Sequence, residues 1–210
     1  MANDCINRLQ IHCDNYQILI KIHELLYKTE NGKIHYTMMK LIPIPAEDYD
    51  SEGNPLIGFF TPMGYWGTRS DFVHLEIKIE KDELIFEYWT ANGPNDYWIY
   101  TLTDSIINIM NESSGNTKPK ISIKHLWDVL QIMTAAYMYW EPGMDVTYEY
   151  STEENLNEKV INEFRAVEEE HHRDMEVFYF QIEDSLESEP YEDDFEYRFQ
   201  RYGWDMFYVD

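Results

Sequence analysis

Between residues 72 and 91 the chain alternates so regularly that one local structure is dictated. Val73, Leu75, Ile77 and Ile79 alternate with Phe72, His74, Glu76, Lys78 and Glu80, and after Lys81-Asp82-Glu83 the run LIFEYW resumes. A period of two sends successive side chains to opposite faces, so the two runs predict an antiparallel hairpin over 72–80 and 84–91. A lone hairpin is marginal in water and needs further strands or a helix against its apolar face. The rest of the chain must supply that cover.

It offers both kinds of element. Leu9, Ile11 and Cys13 share one face of a strand over 6–13, and Asp14 or Asn15 then caps a helix over 15–29 that carries Ile18, Leu19, Ile22, Leu25 and Leu26 and stops at Asn31-Gly32. Residues 34–45 read as a short extended piece closed by two prolines and followed by a polar loop. Residues 95–110 have helical spacing, 123–134 read as a second such segment, 135–141 as a strand, Pro142-Gly143 as a turn and 144–151 as another alternating run. Ser151 and Glu154 fit a capping box that opens a helix over 153–172, with Leu156, Val160, Phe164 and Val167 at helical spacing. Residues 177–182 read as a short strand. The expected fold class is therefore α+β.

The chain has 40 Asp+Glu against 16 Lys+Arg, a formal net charge of -24, yet 44% of its residues are hydrophobic and 16% aromatic. That apolar content excludes a disordered acidic chain. The charge is uneven: residues 151–210 hold 19 acidic and 5 basic residues, a net of -14, against -10 for residues 1–150. This divides the chain into a body, 1–150, and an acidic C-terminal extension, 151–210. Phosphate backbones are bound by clustered Lys and Arg, and no such cluster is present, so direct nucleic-acid binding is not expected. A protein with a basic groove is the partner such a field attracts.

Cys5 and Cys13 are eight strand steps of ~3.3 Å apart, beyond disulfide reach, which points to two reduced thiols and a cytoplasmic protein. The opening MANDCINRLQ lacks the apolar run of a signal peptide, and no stretch reaches the ~20 apolar residues of a membrane span.

Several short motifs fall in a recognisable order: the opening MANDCINRLQI, IPIP after the first helix, YWGTRSDF at 65–72, FEYWTANGP at the end of the hairpin, and WEPGMD at 140–145. In this order they resemble the YubB-like, ferredoxin-like family of phage and plasmid accessory proteins, over roughly residues 1–150. The chain departs from the family pattern at Asp4, where an aromatic is usual, and at Arg69-Ser70, which replaces Lys-Trp. The resemblance implies a ferredoxin-like antiparallel sheet with helices on one face and a mobile-element source; it implies no activity.

Two groups of residues carry the functional expectations. Tyr65, Trp66, Arg69 and Asp71, with Gly64 and Gly67 allowing a tight loop, form a compact polar-aromatic constellation that would line a pocket together with Glu141, or else pin the start of the hairpin. Glu183, Asp184, Glu187, Glu189, Glu192, Asp193, Asp194 and Glu196, interleaved with aromatics such as Tyr191 and Trp204, suit a protein interface in which carboxylates steer and aromatics give contact area. Glu168 and His172 share a helical face, but adjacent His171 and His172 point ~100° apart, so a solvated face is expected there and no metal site. No phosphate-binding glycine loop, nucleophile elbow or kinase signature occurs, and no cofactor is expected.

The expectation is a non-enzymatic accessory protein that binds and inhibits a host defence or nucleic-acid-acting protein, of anti-CRISPR or anti-restriction type, with carboxylates standing in for phosphates. Two alternatives remain: a ligand-binding or enzymatic domain built on the 65–71 loop, and a structural phage protein or homodimer.

Overall fold

A computed structural model describes residues 4–52, 56, 60–91, 93–113, 118–129, 134–152 and 154–171. The elements run β1 (Asp4–Cys13), α1 (Tyr16–Glu24), β2 (Tyr27–Glu30), β3 (Lys33–Tyr36), α2 (Phe60–Trp66), β4 (Val73–Ile79), β5 (Glu83–Ala91), α3 (Asp96–Glu112), β6 (Ile121–Val129), β7 (Thr134–Trp140), β8 (Tyr148–Thr152) and α4 (Glu158–His171). Six strands form one antiparallel sheet in the order β4-β5-β1-β6-β7-β8, and β2-β3 form a separate hairpin. The protein is thus α+β, as its patterning predicts.

The register explains which residues are buried. Leu9 lies opposite Phe86 and His125, and Ile11 opposite Leu84 and Ile123. With the odd-numbered side chains of β1 these residues form one face, on which Ile18, Leu19 and Ile22 of α1 and Trp98, Ile99, Leu102 and Ile106 of α3 pack as the main core. Asn15 starts α1 by accepting from the backbone N–H groups of Gln17 and Ile18, two of the donors a helix start leaves unpaired.

The other face is covered in part by α4. Val160, Phe164 and Val167 pack against Leu126, Ala135 and Tyr137, side chains of opposite parity to those under α3. Helices therefore lie on both faces of the sheet. The expectation of helices on one face describes α1 and α3 but not the first helix of the extension. That helix also starts later than Ser151: it begins at Glu158, where Asn157 Oδ1 accepts from the Lys159 N–H at 3.0 Å.

Burial from both sides explains the one element whose type differs from expectation. Residues 123–134 carry Leu126, Trp127 and Val129 in near-succession, which mimics helical spacing. Instead, β6 is a strand whose last five residues, His125–Val129, are all buried: Leu126 lies under α4, while Trp127 and Val129 on the other face pack with Cys5, Ala136 and Tyr148. Asn31-Gly32 likewise turns the β2-β3 hairpin rather than ending a long helix. Both residues take positive φ, 51° and 75°, as a two-residue hairpin loop requires. Helix α1 stops at Glu24, and His23 Nε2 and the Tyr36 hydroxyl are 2.9 Å apart, which fastens the small hairpin to the core.

Candidate functional site

The loop that follows α2 is held at nearly every polar group. Tyr65 donates its hydroxyl to Asp48 Oδ2 at 2.6 Å, and buried Trp66 donates Nε1–H to the Ile42 carbonyl at 2.9 Å. Beyond the helix end, the Thr68 hydroxyl and the Arg69 N–H both donate to the Ala91 carbonyl, at 2.9 and 3.0 Å, while Ser70 Oγ accepts from the Ala91 N–H at 2.9 Å. Asp71 accepts from the Met38 N–H at 2.7 Å, from the Phe72 N–H at 2.9 Å and from the Thr37 hydroxyl. Three donors on one carboxylate satisfy most of its acceptor capacity. These residues act as a clasp that joins α2 to the end of β5 and to the segment after β3.

Glu141 does not join them. It follows the end of β7, where Trp140 is level with Ile123, Ile11 and Leu84, whereas the clasp grips Ala91, level with Asp4 at the far end of the sheet. The seven steps from Leu84 to Ala91 span roughly 23 Å at ~3.3 Å per residue. Glu141 instead accepts from the Tyr139 hydroxyl. The predicted grouping of Glu141 with Tyr65, Trp66, Arg69 and Asp71 is therefore not formed. Glu183, Asp184, Glu187, Glu189, Tyr191, Glu192, Asp193, Asp194, Glu196 and Trp204 lie outside the described residues, as does His172.

What the clasp braces is the start of α3. Gly67 has φ 85°, and a Cβ there would lie 3.2 Å from both the Asp96 N and the Pro94 carbonyl oxygen. Only glycine lets the two backbones approach this closely. Behind it, Asn95 is fully buried and its Oδ1 accepts from the Tyr88 hydroxyl at 2.9 Å. Asn7 Nδ2 donates to Thr90 Oγ1 at 2.9 Å, and the Thr90 hydroxyl donates to the Gly93 carbonyl at 2.7 Å.

Asp96 is the first residue of α3, and its backbone N is one of the atoms that the Gly67 turn approaches. One of its carboxylate oxygens is buried with no hydrogen-bond partner among the described residues. Burial pushes the carboxyl up to about 6, opposed by a hydrogen bond from the Tyr148 hydroxyl. Burial raises the phenols of Tyr88, Tyr100, Tyr148 and Tyr150, and the Asp96 charge adds to the rise in each. Those four phenols therefore lie within electrostatic reach of the carboxylate. Among the described residues no cation forms an ion pair with it.

The walls are aromatic. Trp127 meets Tyr148 at 6.4 Å and Tyr150 at 5.8 Å between ring centroids, the second pair edge-on, while the Tyr148 and Tyr150 rings are 6.3 Å apart. Fully buried His125 has Nδ1 2.7 Å from the Tyr148 hydroxyl. Like Asp96 Oδ1, the Asn95 Nδ2, His125 Nε2 and Trp127 Nε1 atoms are buried without hydrogen-bond partners among the described residues. Tyr97, Tyr100 and Tyr150 are among the most exposed large side chains of the described residues, so the cluster opens at the surface.

This arrangement supplies hydrogen bonds, one carboxylate and aromatic faces. It supplies no activated nucleophile: burial raises the Cys5 thiol far above its usual range, and burial holds His125 down at about 3, hence neutral. Both cysteines are buried free thiols.

Sequence reasoning passed over this cluster because its members come from five elements, β1, β5, α3, β6 and β8. Two local signals were present: Asp96 and Tyr100 stand four apart on one helix face, and Tyr148 and Tyr150 alternate on one strand face. Compared with known proteins, the chain matches no family model, no curated protein and no solved structure.

Proposed function

We propose that this chain is a non-enzymatic binding protein that docks on a basic surface of another protein. The observation that carries the reading is charge of one sign combined with an aromatic carboxylate cluster that opens at the surface. A net charge of -24 attracts a basic partner over a distance, and exposed Tyr97, Tyr100 and Tyr150 offer the contact area that makes an encounter specific.

The finer reading is an accessory protein of phage or plasmid origin that inhibits a host defence or nucleic-acid-acting protein, of anti-CRISPR or anti-restriction type, inside the host cytoplasm. Its supports are the resemblance of the 1–150 motifs to the YubB-like family and the chain path. With β2, β3 and α2 left aside, the order β1-α1-β4-β5-α3-β6 and the arrangement β4-β5-β1-β6 support that reading, since ferredoxin-like sheets follow a split β-α-β path. In this reading the carboxylates of 183–196 occupy positions that phosphates would take on the partner.

The test is titration of the full chain against purified CRISPR effector complexes and restriction enzymes across a salt series, with duplex DNA as competitor. Binding that weakens with salt and is displaced by DNA is expected. Binding unchanged by salt, and unchanged after Asp and Glu neutralisation across 183–196, would overturn the mimicry.

A second reading is favoured by the unpartnered polar atoms around Asp96, which suit a small polar ligand. Tyr65, Trp66, Arg69 and Asp71 would then act only as the brace of that site.

A further inference from the structure

We propose that the sheet face at the end of α4, on β1 and β5, seats the chain's own C-terminal segment, residues 172–210, with aromatic rings against the sheet and carboxylates toward solvent. The inference goes beyond the reading of the chain as a binder of basic surfaces and stands without it.

The course of α4 sets the place. Near its start Lys159 pairs with Glu149 on β8 and lies 5.5 Å above the Tyr137 ring on β7; one turn later Glu163 accepts from Lys124 Nζ on β6 at 2.9 Å. Ile6, on β1, packs against the cluster that Phe164 and Val167 form with Leu126. The helix therefore crosses the strands in the order β8, β7, β6, β1, and the next strand in the sheet is β5. From Glu163 to the helix end at His171 the chain advances roughly 12 Å at ~1.5 Å per residue, more than two strand spacings of ~4.8 Å, which directs the end of α4 past β1 toward β5. The 39 residues that follow set out from over this part of the face.

A buried side chain that its neighbours do not explain marks the same place. Ile85 of β5 is 4% exposed, yet it belongs to none of the three buried apolar clusters of the described residues. On its own face it is flanked by Glu83 and Glu87 along the strand and by Gln10 and Lys78 across the sheet, all polar. Polar heads on long stems turn toward water and do not seal an isoleucine from it. Arg8, one row away and paired with Glu87, is 2% exposed on the same face. Both side chains are covered from above.

What covers them must bring apolar contact, and the chain supplies it from the end of α4. Eleven of the 39 residues after His171 are aromatic, and Phe195, Tyr197 and Phe199 alternate with Glu196, Arg198 and Gln200, so an extended backbone puts three rings on one side. That side is the one to bury, and the carboxylates of 183–196 are then displayed by the body at fixed positions. A second copy of the chain carries the same charge of -24 and is repelled from this face.

The experiment uses the full chain carrying Gln200→Cys with a nitroxide label; Cys5 and Cys13 are buried, so the introduced thiol is the reactive one. Broadening is read on isotope-enriched isoleucine methyl groups, with Ile85 and Ile6 assigned through Ile85→Val and Ile6→Val. Both methyls are expected to broaden strongly. Exposed Ile34 should keep its intensity, because its hairpin is fastened through Tyr36 to the opposite face of the sheet. The broadening should fall severalfold when Phe195, Tyr197 and Phe199 are all changed to serine, and undiminished broadening there would overturn the rings as the contact.

Unchanged Ile85 and Ile6 intensities in the labelled chain, with native circular dichroism, would overturn the seat. Broadening that arises only when labelled chain is mixed with isotope-enriched, unlabelled chain would assign the face to a second copy and overturn it as well.

Discussion

The Tyr148 hydroxyl lies 2.7 Å from His125 Nδ1, so a phenol on β8 meets a fully buried histidine on β6. Burial raises this phenol well above its usual range, and the Asp96 charge adds to the rise, which ties the pair electrostatically to the acid that opens α3.

That coupling predicts a pH signature with two opposing parts. Burial raises Asp96 to about 6 from 3.8, so the folded state keeps a proton the unfolded chain has lost; this contribution is full below pH ~4 and is lost as pH rises through about 6. Burial lowers His125 to about 3 from 6.5, so the unfolded chain takes a proton the folded state refuses; this contribution is full above 6.5 and is lost as pH falls toward 3. Between pH ~4 and 6 the two slopes oppose. Removing the acid exposes the other: Asp96→Asn should be more stable than the parent at pH 7 by about 1–2 kcal/mol and should lose stability more steeply from pH 6 to 4. Urea denaturation at pH 4, 5 and 7 checks both statements, and a parent steeper than the variant in this window would refute them.

Gly67→Ala should destabilise the fold by about 2 kcal/mol or more. The residue has φ 85°, and the new Cβ would press on backbone atoms of Pro94 and Asp96 at 3.2 Å, neither of which can swing away as a side chain can. Because the pressure falls on the α3 N-terminus, the Asp96 cluster should be disturbed as well. Thermal melting and the Trp127 indole resonance report the two effects separately.

Asp71→Ala should cost about 2–4 kcal/mol, since it strands the buried-side donors Met38 N–H, Phe72 N–H and the Thr37 hydroxyl. Asp71→Asn retains one acceptor oxygen and should cost less. Equilibrium denaturation that ranks the two variants in the reverse order would show that the carboxylate is not the clasp.

Phe164→Ala should cost about 3–4 kcal/mol, because the ring is buried between α4 and the sheet against Leu126 and Tyr137. A substitution costing less than ~1 kcal/mol in a denaturant titration would mean that α4 does not cover that face.

The hairpin β4-β5, the strand β1 and the helix α3 were legible because each buries mainly one face, with Arg8 and Ile85 as exceptions on β1 and β5, and period-two or helical spacing survives in the residue string. Helix α4 was legible for the same reason, through Val160, Phe164 and Val167. β6 was not, because burial on both faces, Leu126 under α4 on one and Trp127 and Val129 against Cys5 and Ala136 on the other, runs continuously from His125 to Val129 and erases the alternation. The β2-β3 hairpin was hidden by Leu25 and Leu26, which continue the helical spacing of α1 past its end. Asn31-Gly32 is a sound turn signal, but its use as a helix stop or as a hairpin loop depends on what pairs beyond it.

The same division holds at the site. The loop of Tyr65 to Asp71 stood out in the sequence because its unusual residues are contiguous, and it forms the clasp. Asp96, Tyr88, His125, Trp127, Tyr148 and Tyr150 are ordinary where they stand and become a cluster only when β5, β6, β8 and α3 meet at one end of the sheet. By itself the sequence determined the α+β class, the strongly negative field and most of the one-sided elements, since net charge and local periodicity are additive properties of a string. Only the tertiary structure decided which carboxylate lies within electrostatic reach of four phenols with no cation of the described residues paired to it. Burial and electrostatic reach act between residues that are distant in the chain and adjacent in space.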